Sequence, residues 1–282
     1  MKRSGSANLL QVGDGSYLID AGPGVSHQLA KTGLEPADIH TVFLTHLHFD
    51  HVAGLASMLV YAWFRRRGGN IDIYGPPATS AFVQGALQYL AIPEKIYAAE
   101  MPPTPSISDL VRAHDFDIDR PSVIFHDDKV RVTAVENTHY ATIPADHRPI
   151  GARRTFSYRF DTPDRSIVFT GDTGPSDAVV DLARGADILV AEVMNMDAIL
   201  AGLAKDFNSS PDALKPVADH MLREHLSPQE VGLMAKRAGV KMVILTHVGP
   251  GDDAERDMRM YTSGVRQMFS GPVVIANDGD EY

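Results

Sequence analysis

The sequence predicts a mixed α/β fold, a four-layer αββα sandwich in which two sheets pack between outer helices. Strand-like apolar runs cluster early in each half of the chain, and helix-like runs alternate with them. In addition, four polar groups directly follow apolar runs, at Thr45-His46, Thr138-His139, Thr170-Gly171-Asp172 and Thr246-His247. Strand ends along one sheet edge are where such folds gather their functional residues. We therefore expect these four groups to meet at one edge of the sheets.

Length and composition fit one large domain over residues 1–282, with 44% hydrophobic residues and 22% charged residues. The formal net charge is −10. A protein that grips a nucleic-acid backbone usually presents a basic face, so this balance argues against such a partner, although a local basic patch stays open. The chain has no cysteine, which excludes disulfides and thiolate ligands.

Targeting features are absent from the sequence as it stands. No run approaches the 18 or so apolar residues of a membrane span, and the N-terminus lacks the apolar core of a signal peptide. We expect no membrane association and a cytoplasmic location by default. A periplasmic location is the alternative if a leader has been removed.

The elements of the first half begin with a hairpin, because alternating runs at 8–12 and 16–20 flank Gly13-Asp14-Gly15. Further strands are predicted at 42–44 and 71–74, and helices at 52–65 and 78–90. From 92 to 120 the pattern loosens around Pro93 and several later prolines. A long irregular segment in a compact enzyme is often a lid or a pocket wall, and we expect that role here.

The second half reads as strands alternating with helices. Ser227-Pro228-Gln229-Glu230 is a capping box that starts a helix. Strands are predicted at 123–126, 130–135, 156–160, 166–170, 187–193, 242–245 and 273–276, and helices at 176–184, 195–205, 212–223, 228–238 and 253–269.

The stretch from Thr45 to His51 concentrates three imidazoles and a carboxylate, which are costly to bury without partners. His46 and His48 can point the same way from extended chain, and Asp50 and His51 turn outward where the helix starts. The segment can therefore supply two ligands to each of two metals. These ligand types favour zinc, with iron, manganese or cobalt as alternatives. A solvated histidine-rich loop is the alternative interpretation.

The pattern His46-x-His48-x-Asp50-His51 resembles the signature of the metallo-β-lactamase superfamily. The resemblance implies a dinuclear centre completed by a later histidine, a bridging aspartate and a last histidine. One metal would take His46, His48 and His139, and the other Asp50, His51 and His247, with Asp172 as the bridge. The implied cofactors are two Zn²⁺ ions, with Mn²⁺ or Fe as alternatives. Asp20 would hydrogen-bond a metal-bound histidine or cap a turn.

Two residues point to a branch of that superfamily. Members that hydrolyse β-lactams generally lack a bridging carboxylate at the position of Asp172. His225 precedes His247 by 247 − 225 = 22 residues, and this segment is similar to the ribonuclease Z branch, in which that histidine assists leaving-group departure. The start of a helix beside His225 also favours an anionic group. We therefore take Asp50 and His225 as the candidate catalytic residues.

The predicted substrate is a small molecule. The branch that matures tRNA carries a long Gly/Pro-rich arm, whereas only 172 − 139 = 33 residues separate His139 from Asp172 here. The chain is most similar to the arylsulfatase-like relatives, which implies hydrolysis of a sulfate ester or phosphodiester. A hydroxide shared by two zinc ions would attack, and His225 would protonate the leaving group. We expect a small-molecule ester as partner, nucleic acid to be unlikely as a partner, and a homodimer.

Several alternatives stay open. The same residues could process RNA 3′ ends if a local basic groove exists. A degenerate binding module is a third hypothesis, which the complete ligand set opposes. Lactonase or β-lactamase activity could accompany either reaction. Arg153 and Arg154 could bind a sulfate or phosphate, or lie exposed in a loop. The resemblance also implies a first strand, and any leader, ahead of Met1.

Overall fold

The computed structural model describes residues 3–65, 69–101, 105–144, 146–206, 208, 210–251 and 258–282. Its contacts divide the chain into two compact units. The N-terminal unit comprises Ser4–Asp117, Pro149–Arg153 and Asp278–Tyr282, and the C-terminal unit comprises Met1–Arg3, Ile118–Arg148 and Arg154–Asn277. Within the described ranges, no helix is both long enough and apolar enough to cross a membrane. The single domain stays a prediction.

The sheet of the N-terminal unit has five strands among the described residues, in the order β1-β2-β3-β4-β5. The predicted hairpin is confirmed, since β1 and β2 pair antiparallel, and the remaining neighbours pair parallel. The strands are β1 Asn8–Val12, β2 Gly15–Ile19, β3 Thr41–Phe43, β4 Ile71–Gly75 and β5 Val111–Asp115.

Helices of this unit share one apolar core with the sheet. Leu18, Val42 and Ile73 from the strands belong to the same buried cluster as Leu29 and Leu59 from the helices. The helices are α1 Val25–Lys31, α2 Phe49–Val52, α3 Leu55–Arg65 and α4 Thr79–Glu100, with 3₁₀ turns at Pro36–Asp38 and Ile107–Asp109.

The structure corrects the prediction that 92–120 is irregular. Helix α4 continues through Pro93 to Glu100, and β5 pairs with β4. Pro93 removes one helical hydrogen bond, but packing offsets that loss. The Tyr97 ring lies edge-on to Trp63, with centroids 5.9 Å apart, and anchors the second half of α4. The lid or pocket-wall role stays a prediction.

The sheet of the C-terminal unit has seven strands among the described residues, in the order β12-β11-β10-β9-β8-β7-β6. Strands β6 to β9 pair antiparallel, and β9 to β12 pair parallel. The strands are β6 Ser122–His126, β7 Arg131–Glu136, β8 Phe156–Asp161, β9 Ser166–Phe169, β10 Ile188–Met194, β11 Met242–Gly249 and β12 Val273–Ile275.

The helices of the C-terminal unit agree closely with the predicted ones. The predicted capping box is confirmed, because the Ser227 hydroxyl accepts from the Glu230 amide and the Glu230 carboxylate accepts from the Ser227 amide. Part of the helix predicted at 253–269 lies outside the described residues. The helices are α5 Asp177–Leu182, α6 Met196–Asp206, α7 Pro211–Glu224, α8 Pro228–Ala238 and α9 Arg259–Arg266, with a 3₁₀ turn at Ile150–Ala152 in the N-terminal unit.

Candidate metal centre

The predicted metal-binding loop joins β3 to α2 in the N-terminal unit. His46 is buried, whereas His48 is exposed and is the N-cap residue of α2. Nε2 of His46 lies 3.1 Å from Nδ1 of His48, and the two rings are nearly perpendicular. Nitrogens of two rings that converge in this way can share a proton or a cation. The loop therefore brings these two predicted ligands together.

His51 is held on the first turn of α2 by a buried carboxylate. Its Nδ1 lies 2.8 Å from Oδ2 of Asp20, and its Nε2 lies 3.7 Å from Oδ2 of Asp50. Asp20 also accepts the Thr45 amide at 2.8 Å. A carboxylate on one nitrogen of an imidazole fixes the ring and directs the other nitrogen to a metal. Asp20 thus contacts a histidine of the motif and also anchors the loop.

The helix predicted over 52–65 is interrupted by a close backbone approach. The Gly54 amide donates to the Ala21 carbonyl at 2.8 Å, and the Ala21 amide donates to the His51 carbonyl at 2.7 Å. A Cβ on Gly54 would lie 2.1 Å from the Gly22 carbonyl oxygen. Only glycine fits at position 54, and the absence of its side chain allows the loop to lie directly against the chain that follows β2.

Four further histidines and aspartates lie in the C-terminal unit. His139 follows β7, Asp172 follows β9, and His225 lies between α7 and α8. Each of these three offers a ligand atom, and the three atoms lie within 4.8 Å of one another. Nε2 of His247 lies 3.3 Å from Oδ2 of Asp172. The unit therefore collects every predicted site residue that follows the first motif.

His247 lies inside β11 rather than after it, which differs from the predicted strand end. The register between β10 and β11 shifts there, because Glu192 faces Thr246 and Val193 faces Val248. His247 is the extra residue, and its φ is +42°. A β-bulge re-aims a side chain that regular alternation would place elsewhere. Here the bulge allows His247 to approach Asp172.

His139 is oriented by the end of α7. Its Nδ1 lies 3.0 Å from the Glu224 carbonyl oxygen, so a proton on Nδ1 leaves Nε2 as the ligand atom. The Glu224 side chain is buried and accepts a hydrogen bond from the Thr142 hydroxyl. Sequence reasoning missed Glu224, because its contribution comes partly from a backbone carbonyl that any residue would supply.

Glu192 is a second residue that sequence reasoning missed. It is buried on β10, and its Oε2 lies 2.8 Å from Nδ1 of His225. Its Oε1 accepts the Thr173 amide at 2.6 Å. A lone carboxylate inside the apolar run Ile188–Met194 was the available signal, since an unpaired buried charge is costly.

Glu192 and His225 change each other's protonation. Burial raises the pKa of the Glu192 carboxyl, and the neighbouring His225 opposes that rise. Burial alone would lower the pKa of His225, but the Glu192 carboxylate reverses the effect and the pKa of His225 is raised. The Glu192 carboxylate thus favours a protonated His225, which is the form that a general acid requires.

The two candidate anion-binding arginines both have carboxylate neighbours. Nη2 of Arg153 lies 3.1 Å from Oδ2 of Asp117, and Arg154 forms an ion pair with Glu136. Arg154 is mostly buried, whereas Arg153 is exposed. The sequence analysis offered two interpretations of these arginines, anion binding or an exposed position in a loop. The exposed position describes Arg153 but not Arg154.

The side chains in both units fit a divalent metal by their chemistry. Imidazole nitrogens and carboxylate oxygens are the ligands that zinc prefers when cysteine is absent. In each unit, Nδ1 of one histidine already has a hydrogen-bond partner, which leaves Nε2 for a metal. Asp20 is the partner of His51, and the Glu224 carbonyl is the partner of His139. Such partners are characteristic of histidines that bind metals.

Comparison with known proteins identifies the family. A family model described as a β-lactamase superfamily domain matches residues 16–248. The chain belongs to the β-lactamase superfamily. This superfamily member is 30% identical over 290 residues to ribonuclease Z of Mycobacterium bovis (strain BCG / Pasteur 1173P2), across 98% of the chain and 90% of the relative. Ribonuclease Z of Mycobacterium marinum is 29% identical over 281 residues, across 98% and 91% of the two chains.

Solved structures of superfamily proteins share the fold. Human tRNase Z, short form, matches with a TM-score of 0.66 and 22% identity, across 99% of this chain and 92% of that one. The metallo-β-lactamase fold protein YhfI of Bacillus subtilis matches with a TM-score of 0.65 and 22% identity, across 98% and 90%. The predicted fold class and the resemblance to the ribonuclease Z branch are therefore confirmed, and this superfamily member is a metal-dependent hydrolase.

The same relatives overturn the predicted substrate. The prediction of a small-molecule ester hydrolase of arylsulfatase or phosphodiesterase type is wrong, because relatives along nearly the whole chain are named ribonuclease Z. The expectation that nucleic acid is unlikely as a partner is wrong for the same reason. The charge argument failed because net charge sums the whole surface, whereas RNA contacts only part of it. The argument from the missing arm failed because the short interval from His139 to Asp172 describes only one segment of the chain.

Proposed function

We propose that this chain is an endoribonuclease of the ribonuclease Z kind, which hydrolyses a phosphodiester bond during 3′ processing of a precursor tRNA. The observation that carries the proposal is the pair His225–Glu192, joined at 2.8 Å beside Asp172. An aryl ester loses a stable phenolate, but RNA cleavage expels a strongly basic ribose oxygen. A positioned proton donor matters far more for the second reaction.

The proposed metal centre follows the superfamily pattern. One zinc ion would be held by His46, His48 and His139, the other by Asp50, His51 and His247, and Asp172 would be a ligand as well. Support comes from the convergence of His46 with His48 in one unit and of His247 with Asp172 in the other. Manganese or iron is the alternative metal. When bound, the ions supply an activated water and positive charge beside the attacked phosphate.

The residues of the chain then have separate tasks. Asp20 and the Glu224 carbonyl hold His51 and His139 in their ligand orientations. As the oxygen of the attacking water bonds to phosphorus, that water gives up a proton to solvent and the bond from phosphorus to O3′ breaks. His225 passes its proton to O3′, and the products are a 3′-hydroxyl and a 5′-phosphate. Glu192 keeps the His225 ring aimed and balances its charge.

The test uses purified protein, with its metal content determined on the same sample. Precursor tRNA with a 3′ trailer is offered beside p-nitrophenyl sulfate, and cleavage is mapped at nucleotide resolution. We expect about two metals per chain and a single cut at the 3′ side of the tRNA body, with both lost or strongly reduced in His48→Ala. The matched variant His126→Ala, at an exposed strand end, should keep both. Metal-loaded protein that leaves precursor tRNA intact would reject the proposal.

A further inference from the structure

Phe49 is an exposed aromatic residue inside the metal-binding motif. Its side chain is 77% exposed, although it stands between His48 and Asp50 at the first position of α2. The core beneath the loop is filled by other residues, since Leu44, Val52 and Leu55 are buried on either side of it. The Phe49 ring therefore contributes little to packing and is presented to solvent beside predicted ligands.

A second exposed apolar residue lies on a turn that contacts the same loop. Ile150 is 77% exposed in the 3₁₀ turn Ile150–Ala152. This turn packs on the metal-binding loop, because a Cβ on Gly151 would lie 3.5 Å from Cδ1 of Leu47. Arg153, at the end of the turn, is exposed but forms an ion pair with Asp117. The loop is thus bordered by apolar surface, which suits a nucleobase more than a fully hydrated anion.

We infer that the Phe49 ring stacks on an unpaired base of the RNA substrate, at a nucleotide adjacent to the scissile phosphodiester. The inference rests on the proposed function and adds a residue of this chain that contacts a base beside the cut. Aromatic rings bind the faces of unstacked bases, and this contact tolerates any base because every base has such a face. A base inside a duplex has both faces covered by its neighbours and is not available.

The experiment combines variants of the enzyme with variants of the substrate. Wild type and Phe49→Ala are each assayed on precursor tRNA and on four RNAs that are abasic at one of the two nucleotides on either side of the cut. On intact RNA we expect Phe49→Ala to lower kcat/KM about tenfold, as base–aromatic stacks typically do. On one abasic RNA, wild type should show the same loss and Phe49→Ala no further loss. Phe49→Trp should restore the activity.

Controls separate stacking from damage to the site. Metal content should be equal in wild type and Phe49→Ala, and Tyr61→Ala, an exposed tyrosine on α3, should behave as wild type. An equal loss in Phe49→Ala on intact RNA and on all four abasic RNAs would overturn the stacking inference while the proposed function stands. A wild-type enzyme that cuts no RNA would reject the proposed function, and this inference with it.

Discussion

At the scale of single residues, a buried carboxylate lies 2.8 Å from Nδ1 of a histidine of the proposed site in each unit. Asp20 lies 2.8 Å from Nδ1 of His51, and Glu192 lies 2.8 Å from Nδ1 of His225. The two pairs serve different chemistry. In the proposed mechanism, the first would direct an imidazole toward a metal, whereas the second would hold the proton that passes to the leaving group.

Replacing His225 separates the two kinds of leaving group. We expect His225→Ala to lower kcat on precursor tRNA by about 10²- to 10⁴-fold, the usual contribution of a positioned general acid. The loss on bis-p-nitrophenyl phosphate should be much smaller, because p-nitrophenolate leaves without a proton. Both rates are measured on one metal-loaded preparation, with His126→Ala as control. Equal losses on the two substrates would contradict a proton-donor role.

At the scale of elements, strands of the C-terminal unit are tied together at their beginnings by one partly exposed network. Asp187, just before β10, accepts the Ser166 amide of β9 at 2.7 Å and lies 2.6 Å from Nζ of Lys241, just before β11. The hydrogen bond from Lys241 and those from Ser166 lower the pKa of Asp187 to about 2. The network therefore stabilises the fold only while Asp187 is ionised.

The pH dependence of this network has a definite sign. A lowered pKa means stability that is present above the unfolded value near pH 4 and is lost as the pH falls toward 2. We expect Asp187→Asn to reduce the free energy of unfolding at pH 7 by roughly 0.5–1 kcal/mol, since the pair is solvent-accessible. Urea unfolding at pH 7, 5 and 3 should show a deficit that shrinks at the lowest pH. A deficit that grows on acidification would contradict this account.

The homodimer stays a prediction, and helix α4 carries an exposed stripe that could form its interface. Five exposed residues recur at alternating spacings of four and three, a pattern typical of helices that pair. In an antiparallel pair related by a two-fold axis, Ile92 would meet its own copy and Tyr89 would meet Ile96. The five residues are Gly85, Tyr89, Ile92, Ile96 and Ala99.

A charge at the centre of this stripe should prevent pairing. We expect sedimentation velocity to show a dimer for wild type and a monomer for Ile92→Glu, because two carboxylates would face each other at the axis. Val217→Glu, an exposed valine on α7, is the matched control and should stay dimeric. Identical sedimentation of wild type and Ile92→Glu would exclude α4 as the interface.

At the scale of the whole molecule, the net charge of −10 opposes binding of the proposed RNA substrate, which is itself negatively charged. A polyanion is repelled by the average surface, so its binding depends on cations held locally. The proposed metal ions would be the largest such charges, and they would also stabilise the folded state by binding to it. Metal loss should therefore affect binding, catalysis and stability together.

Metal removal tests this coupling. We expect a chelator to abolish cleavage of precursor tRNA and to lower the Tm by about 10 °C, the shift expected for two metal ions that are each present at about 100 times their Kd. Added Zn²⁺ should restore both, and circular dichroism should show the same secondary structure throughout. His48→Ala should have the lower Tm without chelator. A Tm that is insensitive to chelator and to zinc would contradict metal binding at these residues.

The sequence by itself determined the fold class and the branch of the superfamily, and it placed the proposed ligands of residues 46–51 in a loop between a strand and a helix. Local physics explains that placement, since a strand, a turn and a helix start within one short segment set the directions of its side chains. The capping box of α8 was equally local and equally predictable.

Tertiary structure alone decided the contacts that depend on distant elements. Glu192 holds His225 from 33 residues away, the Glu224 carbonyl orients His139, and a bulge on β11 re-aims His247. The lone carboxylate in the apolar run Ile188–Met194 marks Glu192 in the sequence, but none of the three contacts has a sequence signature, because each arises from packing that brings separate elements together. Long-range packing also allows α4 to continue through Pro93, where the sequence predicted an irregular segment. The same packing leaves Phe49 exposed beside the proposed metal ligands.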